Sequence, residues 1–309
     1  MITSPSARAR RLPLPRLDWG LAAAVTALSL ISVVLVWAAT RPRLIAAGED
    51  PQQYLKRQIV NVLAGLVIML VVALVDLSTL RVWSLPAYAL TCVSLLLVLT
   101  PLGQTVNGAQ SWLGIGPVQA QPSEFAKLTL VLALATLLGD QPDGEHRPGG
   151  VHLLLALGVT AVPFGLVMLQ PDLGTAMILT AIVLGMLVIA GVRWRWIAVL
   201  VLSGAAAAAL AWWLGLLRPH QVQRLLAFAD PAADPQGAGY NATQALNTVG
   251  SGGLLGTGLF RGDQTGGRFV PEQHTDFIFT VAGEELGFAG AALILVLLWF
   301  VIWRALRTA

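Results

Sequence analysis

Three ionisable side chains stand close together in one short polar segment. Glu272, His274 and Asp276 lie within five residues, directly before a long apolar run. A carboxylate or imidazole in such a place can accept a proton from a substrate hydroxyl, which is general-base chemistry. Thr275 or Asp276 alone would be enough to cap a following helix. The segment by itself predicts a helix cap, but a cap needs only one of these groups, so their convergence at the membrane edge makes a functional cluster the alternative.

A second polar group opens the apolar run that begins at Phe125. Glu124 and Lys127 are three residues apart, so they can pair on one face of a helix. One interpretation is a structural ion pair, and the other is a lysine that binds phosphate while the glutamate orients it. Asp172, between two further apolar runs, is expected to lie at the same level as Glu124 and to cap the following helix.

Two more carboxylates fall inside the last apolar run. Glu284 and Glu285 would lie about 12–14 Å along a helix from its outer end, at 1.5 Å per residue. Carboxylates at that depth must face protein or a wet cavity. Two interpretations stay open here: a functional pair, or a structural ion pair with Lys127 or Arg57.

Two other patterns predict no chemistry. The segment 250–258 is rich in glycine but lacks the strand and the Gly-Lys-Ser/Thr ending of a phosphate loop, so flexible packing against the membrane surface is expected. The four histidines do not have the spacing of a metal site.

The composition identifies the solvent in which these groups must be positioned. Of 309 residues, 56% are hydrophobic and 11% are charged, against about 25% charged in soluble domains, so a soluble globular protein is excluded. The single cysteine, Cys92, excludes a disulfide scaffold. The net charge of +3 comes from scattered Lys and Arg, which predicts no nucleic-acid partner.

The apolar runs predict an all-α polytopic membrane protein with about eight transmembrane helices. Each run is close to the length that crosses the hydrocarbon layer as a helix. The runs cover residues 19–40, 59–75, 85–102, 125–138, 151–169, 173–190, 196–217 and 277–302.

An even number of crossings places both termini on one side, and the density of Lys and Arg favours the cytoplasm for that side. Residues 1–18 then form a cytoplasmic tail, and 19–309 form a single transmembrane domain. Its large extracytoplasmic loop, 218–276, is expected to contain short helices or re-entrant pieces.

These motifs together resemble the SEDS family (shape, elongation, division and sporulation) of cell-wall polymerases. Gly262-Asp-Gln264 and Ala109-Gln110 favour its RodA branch over its FtsW branch. Members usually have ten spans, so the resemblance predicts a C-terminally short member. The matching stretches are Asn107–Trp112, Gln121–Lys127, Gln170–Thr175, Asp230–Tyr240, Gly250–Gly253, Pro271–Phe279 and Glu284–Gly287.

The resemblance implies a peptidoglycan glycosyltransferase that polymerises lipid II into β-1,4 glycan strands during cell elongation. It implies a multi-pass protein of the bacterial cytoplasmic (inner) membrane with its active site on the extracytoplasmic face. The reaction inverts the donor carbon in one displacement, and Asp276 matches the family's essential aspartate as general base. The residues expected to bind substrate or pyrophosphate are Lys127, Glu124, Arg57, Arg224, Asp172, Glu272, His274 and Gln264.

The resemblance also implies partners. They are lipid II, a class B penicillin-binding protein transpeptidase and the elongation machinery. The resemblance assigns no definite cofactor, and assistance by a divalent cation stays open. Two alternatives stay open: a lipid II flippase or other transporter, and a non-catalytic scaffold for the transpeptidase.

Overall fold

The computed structural model describes residues 18–106, 109–115, 118–139, 148–215 and 238–308. Seven of its helices are long and apolar enough to cross a membrane, and a shorter apolar helix, Leu173–Ile189, lies between the fifth and sixth of them in the chain. The prediction of an all-α polytopic membrane protein is therefore confirmed for its helical spans. The helices are α1 (Trp19–Ala47), α2 (Gln53–Ala73), α3 (Leu77–Val98), α4 (Pro122–Gly139), α5 (Gly150–Leu169), α6 (Leu173–Ile189), α7 (Trp194–Trp213), α8 (Ala238–Ser251), α9 (Asp263–Gly267), α10 (Ile278–Glu285) and α11 (Gly287–Thr308).

A small antiparallel sheet lies between α3 and α4 and was not predicted. Its strands are β1 (Gly103–Val106), β2 (Ala109–Ile115) and β3 (Val118–Ala120), in that order. Gly103 pairs with Leu113, and Leu113 in turn pairs with Ala120. Strands of three to seven residues are too short to appear in a search for spans of eighteen or more, so the all-α prediction missed them.

The chain divides into two compact units. Unit 1 comprises the residues up to Leu74 and those from Leu217 onward, and unit 2 comprises Val75–Leu216. In unit 1, α1 packs against α2, α10 and α11. Its buried apolar core consists of Leu35, Ala38, Val281, Ala282 and Ile294.

Polar groups fix both ends of α1. The Asp18 carboxylate accepts a hydrogen bond from the Leu21 backbone N–H at 3.1 Å, and it pairs with Arg304 near the end of α11 at 2.6 Å. The helix ends at Gly48, whose positive φ of 72° suits glycine. The first and last long helices of unit 1 are therefore joined near their polar ends.

Unit 2 is organised around α4, which packs against α3, α5 and α6. Leu130 and Leu134 are completely buried there. A three-residue turn joins α5 to α6, and the Asp172 carboxylate accepts a hydrogen bond from the Thr175 backbone N–H at 3.0 Å. The predicted cap at Asp172 is confirmed.

Several helices extend beyond the predicted apolar runs. α1 continues to Ala47, α2 begins at Gln53 and α3 begins at Leu77. The first turns of α2 contain Lys56 and Arg57, which hydropathy excludes although helical hydrogen bonding continues through them. Arg57 therefore lies on a helix rather than in a connection.

The last predicted span, 277–302, is not continuous. It divides into α10 and α11 at Gly287, whose φ of 67° lies in the left-handed region. Such a break leaves carbonyl groups at the end of α10 and N–H groups at the start of α11 without helical partners.

The glycine segment, residues 250–258, supplies those partners. Thr257 and Gly258 donate backbone hydrogen bonds to the carbonyls of Glu284 and Glu285 at 2.9 and 3.1 Å. Two N–H groups at the start of α11, those of residues 288 and 289, donate to carbonyls of the same segment at 2.9 and 3.1 Å. A Cβ at Gly252, Gly256 or Gly287 would clash with the facing backbone. The prediction of flexible packing was wrong, because the glycines allow two backbones to meet directly.

Candidate functional site

A buried carboxylate in unit 1, that of Glu284, joins several polar groups by hydrogen bonds. Glu284, in the last turn of α10, is 1% exposed. Its oxygens accept hydrogen bonds from the backbone N–H of Gln264 at 2.7 Å and of Thr265 at 2.8 Å, and from Thr265 Oγ1 at 2.6 Å. Donors to a carboxylate form strong hydrogen bonds, so α10 holds the start of α9 in place.

Gln273 connects this carboxylate to the predicted site segment. Its buried side-chain amide donates to Thr265 Oγ1 and to Thr280 Oγ1, each at 3.1 Å. Thr265 thus links Glu284 to Gln273, and Gln273 reaches α10 again at Thr280. We call Glu284, Thr265, Gln273 and Thr280 the buried frame.

The segment from Glu272 to Asp276 contains Gln273 and is therefore attached to the buried frame at that residue. Glu272 has a positive φ of 47°, an uncommon conformation for a residue with a side chain. Its carbonyl accepts hydrogen bonds from the backbone N–H groups of Thr275 at 3.2 Å and Asp276 at 3.0 Å. The resulting tight turn leaves Asp276 exposed.

The structure shows whether the Asp276 side chain caps α10. The residue before α10 is Phe277, and no side chain caps that helix. Among the residues that the structure describes, the Asp276 carboxylate has no hydrogen bond or ion pair. Its side chain is therefore available to a ligand, and the helix-cap interpretation was wrong.

Tyr54, near the start of α2, brings two predicted site residues together. Its ring lies 5.2 Å from the His274 ring, in an edge-on arrangement. The Arg57 guanidinium lies 5.9 Å from the same Tyr54 ring. An arginine from α2 and the histidine two residues before Asp276 therefore share one aromatic neighbour.

A further cation belongs to unit 1 and was not predicted. The Arg41 guanidinium lies 4.9 Å from the Phe260 ring, and that ring makes an edge contact with Trp37 at 4.7 Å. The Phe260 backbone N–H donates to the Glu285 carboxylate at 3.0 Å. These contacts attach the segment before α9 to both α1 and α10.

The predicted ion pairs of Glu284 and Glu285 do not form. Within the described ranges, neither carboxylate pairs with Lys127, Arg57 or another cation. Backbone N–H groups replace the cations as partners. The backbone N–H of Gln264 is one of these partners, and the predicted role of its side chain stays a prediction.

The remaining described candidates lie in unit 2. Lys127 Nζ contacts the Glu124 carboxylate at 2.8 Å, so the predicted pair is present. The lysine side chain is 21% exposed and the glutamate side chain 57%. The Gln121 amide lies 3.5 Å from the Asp172 carboxylate and places the starts of α4 and α6 side by side.

The predicted site residues are thus distributed over both units. Asp276, Glu272, His274, Gln264 and Arg57 belong to unit 1, and Lys127, Glu124 and Asp172 belong to unit 2. Arg224 lies outside the described residues. In the part of the chain that the structure describes, no three His, Cys, Asp or Glu side chains are grouped to hold a metal ion.

Four residues of the site escaped prediction: Tyr54, Thr265, Gln273 and Arg41. Their side chains act through contacts between segments far apart in sequence, which no local spacing reveals. Gln273 has a weak signal, since an amide between Glu272 and His274 at the edge of an apolar run requires a polar partner if it is buried.

Comparison with known proteins places this chain in a family. The family profile FtsW/RodA/SpoVE, described as a cell cycle protein, matches residues 18–309. Peptidoglycan glycosyltransferase MrdB of Escherichia coli K12 is 37% identical over 284 residues, covering 92% of this chain and 73% of the relative. Stage V sporulation protein E of Bacillus subtilis is 35% identical, covering 90% and 75%.

A third relative represents the division branch. A probable peptidoglycan glycosyltransferase FtsW of Halorhodospira halophila is 37% identical, covering 94% of this chain and 72% of its own length. The nearly equal identities do not single out one branch.

Solved structures agree on the fold. A chain from a peptidoglycan synthase complex, described for its coordination of polymerization and crosslinking, superposes with a TM-score of 0.71 at 31% identity, covering 93% of this chain and 76% of the other. The Thermus thermophilus rod shape determining protein RodA superposes with a TM-score of 0.62 at 30% identity, covering 93% and 73%. The chain therefore belongs to the FtsW/RodA/SpoVE family, which is the SEDS family that its motifs resemble.

Proposed function

We propose that this protein is a peptidoglycan glycosyltransferase that polymerises lipid II on the extracytoplasmic face of the bacterial cytoplasmic membrane. The observation that supports this most strongly is the Asp276 carboxylate. It is exposed and unpaired among the described residues, and its segment begins on the buried frame. A general base must reach substrate while its backbone stays fixed, and this arrangement meets both needs.

The proposed reaction is a single displacement at the anomeric carbon of the donor sugar. Asp276 takes the proton from the N-acetylglucosamine 4-hydroxyl of the acceptor as its oxygen attacks that carbon. The bond to the undecaprenyl pyrophosphate breaks, and the leaving group departs with its electron pair. The α-linked donor becomes a β-1,4 bond, so the configuration is inverted.

The departing pyrophosphate needs positive charge. Lys127, oriented by Glu124 at 2.8 Å, is proposed to bind it, together with Arg57 and Arg224. Glu272, His274, Gln264 and Asp172 are proposed to line the substrate site. A divalent cation at the pyrophosphate is compatible with this assignment and is not required by it.

We assign the protein to cell elongation, as the motifs at Gly262–Gln264 and Ala109–Gln110 favour the RodA branch. A class B penicillin-binding protein is the proposed partner, because the chain resembles a subunit of a complex that combines polymerization with crosslinking. Both assignments are argued from similarity, and both presuppose the proposed polymerase activity.

Reconstitution tests the activity and its rivals together. The purified chain, its transpeptidase partner and fluorescent lipid II are combined in proteoliposomes, and glycan strands are separated on gels while lipid II movement is followed by a membrane-impermeant probe. We expect strands from the parent and none from Asp276→Ala at equal folding. Transport that depends on Asp276 without strand formation would establish a flippase instead. Absence of both strands and transport, together with crosslinking of supplied glycan by the partner that depends on this chain, would establish a scaffold.

A further inference from the structure

A groove with unusual side chains lies at the turn between α6 and α7, in unit 2. Its volume is about 560 Å³, which is within the range of small-ligand sites. Among the residues that the structure describes, its lining consists of Arg193, Trp194, Arg195, Trp196 and Val199. None of them belongs to the proposed polymerase site.

The backbone holds these residues in a defined position. α6 ends at Ile189, and Gly191, two residues further on, has a left-handed φ of 75°. The Val192 N–H donates to the Leu187 carbonyl at 3.1 Å. This is the hydrogen-bond pattern of a Schellman ending. The Val192 side chain is buried in the core of unit 2. The Arg-Trp-Arg-Trp sequence therefore starts from a fixed point rather than from a loose loop.

The side chains themselves are free. Trp194 is 75% exposed and Trp196 is 49% exposed. Within the described ranges, neither Arg193 nor Arg195 has an ion pair or a hydrogen bond from its guanidinium. Two unpaired cations beside two exposed indoles need an anionic, partly apolar neighbour.

Membrane location selects that neighbour. α7 is long and apolar enough to cross a membrane and has no fully buried residue, although Ile197 and Leu200 pack against the core of unit 2. Most of its surface is therefore open to lipid, and Trp194, Arg195 and Trp196 lie in its first turn. Tryptophan favours the boundary between acyl chains and headgroups, and arginine binds phosphate with two parallel hydrogen bonds.

We propose that this groove binds the headgroup of an anionic phospholipid. Arg193 and Arg195 contact the phosphodiester, and Trp194 and Trp196 pack against the glycerol and the first acyl carbons. Val199, one turn further along α7, extends the apolar wall toward the hydrocarbon. The site is independent of the polymerase assignment, since it uses none of the same residues.

Native mass spectrometry of the full chain tests the proposal. The detergent-purified protein is incubated with equal amounts of phosphatidylglycerol and phosphatidylethanolamine, and retained lipid is counted. We expect preferential retention of phosphatidylglycerol. Each of Arg193→Gln and Arg195→Gln should weaken it about five-fold, which corresponds to about 1 kcal/mol per cation near an anionic surface.

The matched control is Arg307→Gln, which removes one positive charge near the end of α11 and outside the groove. It should leave retention unchanged, and the unfolding midpoints of all variants without lipid should match the parent. Equal retention of both lipids, or an equal loss in Arg307→Gln, would overturn the proposal. An excess of inorganic phosphate distinguishes the remaining source of the anion: complete displacement of phosphatidylglycerol would assign the groove to free phosphate and refute a lipid site.

Discussion

Glu284 offers the sharpest test of the buried frame. Glu284→Ala removes a carboxylate that accepts from two backbone N–H groups and one hydroxyl, at 2.6–2.8 Å. The two N–H groups, of Gln264 and Thr265, then lose their partner. A buried N–H without a partner costs about 1–3 kcal/mol. Since two such groups lose their partner, we expect a loss of about 2–6 kcal/mol of unfolding free energy.

The location of the effect is as informative as its size. Hydrogen–deuterium exchange followed by mass spectrometry should show faster exchange at 263–276, because α9 and the segment above the frame lose their shared support. Asp263→Asn is the matched control, since this carboxylate is exposed on the same short helix. Unchanged exchange at 263–276 in Glu284→Ala, together with a loss below about 1 kcal/mol, would refute the idea that Glu284 holds this region.

Three further predictions concern the helix break, the helix ends and the lysine pair. Gly287→Ala should lower the free energy of unfolding by about 2–4 kcal/mol, because the left-handed φ disfavours a side chain and the new Cβ would clash with the glycine segment. Gly250→Ala is the control: its Cβ would meet open space, so chemical unfolding should show a loss under about 1 kcal/mol. The hydrogen bond from the Leu21 N–H holds the pKa of Asp18 below its ordinary value. The ionised Asp18 therefore stabilises the folded protein fully above about pH 4, and this stabilisation is lost as the pH falls further. Asp18→Asn should flatten the acid side of the profile of thermal stability against pH, and profiles that stay parallel for variant and parent would contradict this. Glu124→Gln should change the free energy of unfolding by less than about 1 kcal/mol, because the glutamate side chain is 57% exposed and the pair is screened by solvent on that side. It should slow glycosyl transfer if the carboxylate orients Lys127, and an unaltered rate would remove that role.

The sequence predicted those parts of the fold that depend on local pattern. Apolar length identified the spans, and Asp172 was predicted as a helix cap because capping needs only a side chain and the next turn. The Glu124–Lys127 pair was predicted for the same reason, since side chains three residues apart lie on one face of a helix.

The parts that failed depend on contacts between distant segments. The last span breaks at Gly287 because residues 250–258 supply hydrogen bonds that a continuous helix would have made for itself. Hydropathy cannot reveal this, because it scores the residues of one run and not the hydrogen bonds that a distant segment supplies. The carboxylates of Glu284 and Glu285 suggested ion pairs, whereas backbone N–H groups more than eighteen residues away in sequence satisfy them. Every residue except proline has a backbone N–H, so the sequence does not reveal which of these groups will contact a carboxylate.

The rate of glycosyl transfer by Asp276→Asn tests the central claim most directly. The substitution keeps the shape of the side chain and removes its capacity to accept the acceptor proton. Initial rates are measured on lipid II with the transpeptidase partner present, beside Asp263→Asn as a control for the loss of one exposed negative charge. A positioned general base contributes about 10²–10⁴-fold, so we predict at least a hundred-fold loss for Asp276→Asn and no loss for the control. A rate for Asp276→Asn within a few-fold of the parent, at equal folding, would contradict the assignment of Asp276 as the base.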